Sequence, residues 1–115
     1  MIHAHIHHAH GKTELTLRRA FSLPQRLRGL LGQPELPPAH GLWIRPCNSV
    51  HSFFMCVAID VLYLDAEQRI ITIRPHLKPW RMSACFGARS VIELPAGECL
   101  RLGIQPGDTL TCAAP

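Results

Sequence analysis

Residues 58–75 read AIDVLYLDAEQRIITIRP, and the fold turns on this stretch. Two runs rich in β-branched residues, Ala58–Asp65 and Arg69–Pro75, flank the short connection Ala66, Glu67 and Gln68. That pattern predicts a β-hairpin. Side chains alternate across a strand, so Asp60 shares a face with Leu62 and Leu64, while Ile59, Val61 and Tyr63 take the other. Both faces are apolar. Asp60 therefore cannot reach water simply by facing outward. An unpaired buried carboxylate is costly, so Asp60 must either find donors or hold its proton. The expectation is a fixed anchor bonded to Arg28 or to nearby backbone N–H groups, with His51 at a cavity rim.

Working outward, TELTLRRAF (residues 13–21) alternates as a half-buried strand, with Leu15 and Leu17 inward. SLPQRLRGLLG (22–32) carries the Ser22/Gln25 capping-box pattern, tolerates Pro24 in its first turn and reads as a short helix. QPELPPAHG (33–41) is a loop, LWIR (42–45) a strand and CNSV (47–50) a connection. HLKPWRMSACFGA (76–88) reads as irregular, with Trp80 between basic neighbours either on the surface or over the core. RSVIEL (89–94) is a strand. PAGECLRLG (95–103) is a helical turn from Pro95 to Gly103, and QPGDTLTC (105–112) is a tight turn into a last strand. Short turns between consecutive strands predict an α+β fold. The expected form is a small, β-rich, barrel-like domain of five to seven short, mostly antiparallel strands with two short helices.

The composition fits one domain: 115 residues, 47% hydrophobic and 17% charged. The longest apolar run, Phe53 to Ile59, falls well short of the roughly 20 residues of a membrane span. The first residues lack the basic-then-apolar pattern of a signal peptide, so a cytoplasmic protein is expected. The net charge is +4, and the arginines are scattered, which permits an anionic partner without naming one. MIHAHIHHAHGK (1–12) holds five of the eight histidines and is read as a flexible tail ahead of a single domain, 13–115. Five cysteines without a C-x-x-C pair are read as reduced thiols, with Cys56 in the core.

RLRGLLG, GLWIRPCNSVHSFFM, IDVLYLD and VIELPAGECLRLGIQPGDTL, in that order, resemble the domain-of-unknown-function family 192 from about Thr13 to Leu110. The resemblance implies a compact β-rich α+β domain, found mainly in bacteria and archaea, with no established activity. The matching positions are Arg28, Gly29, Gly41, His51, Met55, Asp60, Asp65, Glu93, Gly97, Gly107 and Asp108. The family usually has a small or aromatic residue where Phe54 stands. The chain departs at Cys56, where the family usually has Lys or Arg, and at Val57 and Ala58, where an aromatic or polar residue and Pro usually follow. LRLGIQPGDTL also resembles the turn of AbrB-type swapped-hairpin barrels, which bind DNA.

The candidate ligand-binding residues are Arg28, His51, Met55, Asp60 and Glu93. No Gly-rich phosphate loop, nucleophile elbow or zinc signature is present, so neither a catalytic residue, a metal nor a cofactor is expected. The first reading is a non-catalytic module binding a small molecule or peptide, with no specific nucleic acid and no membrane as partner. The alternatives are a hydrolytic or acid/base enzyme using Asp60, Glu93 and His51, and a DNA-binding swapped-hairpin-type barrel.

Overall fold

The computed structural model describes residues 1–9, 11–28 and 36–112, with Leu27 and Arg28 described by their backbone alone. Among these residues lie nine strands and two short helices. The strands are β1 (Ile2–His8), β2 (Gly11–Ala20), β3 (His40–Ile44), β4 (Ser49–His51), β5 (Ile59–Leu64), β6 (Ile70–Leu77), β7 (Met82–Ala84), β8 (Ser90–Pro95) and β9 (Thr109–Cys112). The helices are α1 (Leu23–Arg28) and α2 (Glu98–Leu102). Seven strands form one curled sheet in the order β6-β5-β8-β3-β2-β1-β9, and β4 and β7 form a separate ribbon. Only β2 and β3 pair in parallel. The α+β, barrel-like architecture is thus the expected one, with more strands than the sequence indicated.

One added strand corrects the reading of residues 1–12 as a flexible tail. Ile2–His8 forms β1, which pairs antiparallel with β2 on one side and β9 on the other. The histidines hid an alternation of period two. Ile2, Ala4 and Ile6 are buried in the barrel core, while His3 and His7 face water. His8 closes the strand, its ring bonding Asp108 Oδ2 and Thr13 Oγ1, each at 2.7 Å.

The hairpin of residues 58–75 forms as β5 and β6. Asp65 Oδ1 holds its turn by accepting N–H groups from Glu67 and Arg69 at 2.9 Å. All six residues of β5 are buried, because the sheet is covered on both faces there. Leu62 and Leu64 face the barrel interior with Leu15, Leu17, Ile92, Leu94 and Leu110. Ile59, Val61 and Tyr63 face an outer layer with Val50, Leu77, Ala88 and Val91. The sheet curls until its edges approach: Ile70 donates to Asp108 O at 2.8 Å and Leu110 to Gln68 O at 2.9 Å. Gly41 allows the close crossing of β3 and β8, since a Cβ there would lie 2.8 Å from Glu93 O.

The capping box expected at Ser22 holds at the start of α1, where Ser22 Oγ accepts from Gln25 N and Gln25 Oε1 accepts from Ser22 N, each at 3.3 Å; residues 29–32 of the expected helix lie outside the described residues. Gly103 stops α2 in the left-handed conformation, and Ile104 plugs the core. Pro95 ends β8 rather than starting α2. Residues 76–88 are less irregular than expected, since β6 runs on to Leu77 and β7 pairs with β4. Cys56 is exposed rather than in the core, because it lies in the loop between β4 and β5; Cys99 is the buried thiol.

Candidate binding surface

Asp60 lies at the start of β5 with its carboxylate inside the fold. Its Oδ1 accepts the N–H of His76 at 2.9 Å, and its Oδ2 accepts those of Gly97 at 3.1 Å and Cys99 at 3.0 Å. Helix N-termini leave N–H groups without partners, and the Gly97 cap of α2 has no side chain to supply one. Asp60 supplies that cap from the neighbouring strand. Burial, and then the Asp60 charge beside it, push the Cys99 thiol above its ordinary range. The carboxylate is occupied by scaffold donors. The Arg28 side chain lies outside the described residues.

Glu93 pairs with Val61 in register, so it faces the outer layer, opposite to Asp60. It is 3% exposed, and burial lifts its carboxyl from 4.5 to about 7. The folded protein therefore holds this proton more tightly than the unfolded chain does. Its stability should fall as pH rises from 4.5 through about 7, by roughly 3 kcal/mol at most. Glu93→Gln should remove that slope, matching the wild type near pH 4.5 and exceeding it above pH 7. Urea melts across that window would show the divergence; a gap independent of pH would count against it.

The outer layer around Glu93 is built by the β4–β7 ribbon and its loops. Two stretches contribute to it, residues 36–59 and 69–92, and neither contains a single Asp or Glu. At one end of the ribbon, Pro46, Cys47, Asn48, Phe86, Gly87, Ala88 and Arg89 line an open cleft of about 450 Å³. Its walls are tied by Cys47 N to Arg89 O at 3.1 Å and Cys85 N to Asn48 O at 2.8 Å. Cys47 feels the Glu93 charge, though burial is the larger cause that raises its thiol. Tyr63 donates to Ser83 Oγ at 2.7 Å beneath the ribbon.

At the other end stands a row of rings. His51 and Phe53 have centroids 5.0 Å apart, Phe53 and Trp80 6.0 Å, and Phe54 and Trp80 4.6 Å. Phe54 is 68% and Trp80 55% exposed. Both take positive φ, 66° and 64°. Bulky residues rarely adopt that conformation, and such strain collects at functional sites. Fully buried Ser52 ties the two loops together: its N–H donates to Arg81 O and its C=O accepts from Trp80 N, both at 2.9 Å, while its Oγ accepts from Arg81 N at 3.0 Å.

Of the five residues singled out from the sequence, the four whose side chains are described do not meet in one cavity. Asp60 caps a helix, Glu93 lies on the other face of the sheet, and His51 and half-buried Met55 belong to the ribbon and its loop. Asn48, Phe86 and Arg89 were not singled out. Their signal was the absence of carboxylates over long stretches, which composition totals conceal.

The profile of the family DUF192, "Uncharacterized ACR, COG1430", matches residues 5–112. The chain belongs to this family. Similar proteins include a UPF0127 protein of Pyrococcus abyssi, 32% identical over 108 residues, covering 85% of this chain and 83% of that one. A UPF0127 protein of Thermococcus sibiricus is 33% identical over 92 residues, 75% of this chain and 58% of its own length. The chain thus spans under two thirds of that relative. A Sinorhizobium meliloti 1021 crystal structure, described as a "putative transcription regulator", superposes with a TM-score of 0.89 at 25% identity, covering 96% of this chain and 92% of its own. A Novosphingobium aromaticivorans protein of unknown function, 20% identical, gives 0.84 over 96% of this chain and 84% of its own, which supports the shared fold. Several positions matched to DUF192 carry scaffold duties here. Gly41 permits a strand crossing, Asp60 caps α2 and Asp65 holds a hairpin turn. Among the described residues, no helix is long and apolar enough to cross a membrane.

Proposed function

We propose that this DUF192 domain is a non-catalytic binding module whose small-ligand site is the cleft between residues 46–48 and 86–89. The preferred ligand is a small anion carrying an apolar group. The observation that carries the reading is the pairing of Arg89 and Asn48 at the cleft. Both side chains are exposed and neither has a hydrogen-bond or ion-pair partner among the described residues. A guanidinium and a carboxamide provide directional donors for a carboxylate or phosphate, and Phe86 offers apolar surface. The cleft volume lies within the range of small-molecule sites. Acid/base catalysis has less support, because Asp60 is fully engaged with backbone donors on the other face.

A thermal-shift screen with small carboxylates and phosphate esters tests this reading. A binder should raise the melting temperature and perturb amides of residues 46–48 and 86–89. Arg89→Ala should weaken it roughly ten-fold or more, the size of one charge-assisted contact, without changing the melting temperature of the free protein. A ligand that keeps its affinity in Arg89→Ala, or maps to the α2 face, would remove the cleft from consideration.

A further inference from the structure

The ring row at the far end of the ribbon is separate from the cleft and asks for a different partner. We infer that His51, Phe53, Phe54 and Trp80, with Lys78 and Arg81, form a sequence-tolerant binding platform for single-stranded nucleic acid. Three observations support this. First, the rings form a continuous row: Phe53 stacks on Trp80 at 29°, and His51 and Phe54 extend the row at either end, tilted by 30° and 58° from their neighbours. Unpaired bases extend such rows, because every base has an aromatic face. Second, the row is held rigidly in the open. Ser52 fastens both loops, and Phe54 and Trp80 are exposed in left-handed backbone that folding alone does not favour. Third, the charge around it has one sign. Lys78, Arg81 and Arg74 are exposed on the segments that carry or precede the rings, and residues 36–59 and 69–92 hold no carboxylate. Glu93, the carboxyl that faces this layer, is buried beneath it, so among the described residues these two stretches present a polyanion with no exposed carboxylate.

The geometry favours a single strand over a duplex. Reading a major groove takes a helix or a two-stranded ribbon that enters it. Among the described residues, the helices span six and five residues, and the ribbon strands three each. An anionic membrane would also attract basic residues, but its insertion needs no continuous row of rings with a stacked pair within it. The ring row therefore decides for bases.

The test uses the whole protein and a fluorescein-labelled oligothymidylate of about 8 nucleotides, within the usual site size of such platforms. Anisotropy at roughly 50 mM salt should report binding that weakens steeply as salt rises. Trp80 emission should be quenched on binding, since the other tryptophan, Trp43, is buried. Trp80→Ala and Phe54→Ala should each weaken binding roughly ten-fold. Lys78→Glu with Arg81→Glu should flatten the salt dependence. Melting curves establish that each variant is folded, and Trp80→Phe, which keeps a ring, should retain most of the affinity. The inference fails if the oligonucleotide does not bind, or if a hairpin duplex binds equally well. It also fails if the alanine variants bind like the wild type, which would reduce the interaction to charge. Vesicles of phosphatidylglycerol that shift Trp80 emission to the blue, with no oligonucleotide binding, would assign the platform to a membrane surface instead. None of these failures touches the Arg89 cleft, which has its own ligand test.

Discussion

Deleting residues 1–9 is expected to unfold the protein. The stretch looks dispensable by composition, but β1 is an interior strand of the sheet, hydrogen-bonded to β2 and β9. Deletion removes Ile2, Ala4 and Ile6 from the barrel core and leaves β9 without its partner strand. Burying one isoleucine contributes roughly 1.5–3 kcal/mol, so the two together approach the ~5 kcal/mol that is a small domain's whole margin in many cases. The lost ladder and the bonds from His8 to Asp108 and Thr13 add to that. Ile6→Ala is the milder version and should cost about 2–5 kcal/mol in urea melts. A truncated protein with dispersed amide resonances and a stability within ~0.5 kcal/mol of the full chain would restore the tail reading.

Asp60→Ala is the second large effect, at about 3–5 kcal/mol. It strips the acceptor from three backbone N–H groups, those of His76, Gly97 and Cys99, and leaves a small cavity. Asp60→Asn keeps one oxygen but points an amide N–H at donors, and should cost about 2–3 kcal/mol. The order matters as much as the size. An exposed carboxylate would lose less than ~0.5 kcal/mol in either change, and that outcome would dissolve the anchor. Hydrogen exchange offers a local check, since the amides of Gly97 and Cys99 should lose protection before the rest of the fold does.

Several features were legible in the chain itself. The hairpin of 58–75, the alternation of 13–21, the capping box at Ser22 and the stop at Gly103 are local patterns, and local geometry is enough to read them. The burial of Asp60 was legible too, because both faces of its strand are apolar and no register could expose it. Backbone donors had been named among its possible partners, but which amides they are depended on where α2 docks.

The remainder needed the fold. The histidines of β1 masked a buried alternation, and only the pairing with β2 and β9 gives that alternation a core to face. Asp60 and Glu93 both sit in apolar strands, yet a one-residue offset in the β5–β8 register sends them to opposite faces of the sheet, so no shared pocket can form. Arg89 lies far along the chain from Asn48, and Trp80 from the rings of residues 51–54. Each pair meets, at opposite ends of the ribbon, because the three-residue strands β4 and β7 pair, a contact too short and too distant in sequence to leave a periodic signal. Sequence by itself determined that β2, β3, β5, β6, β8 and β9 become strands and that Asp60 must be buried. Tertiary structure decided which residues share a surface, because that depends on register, sheet curl and docking between segments that local patterns do not connect.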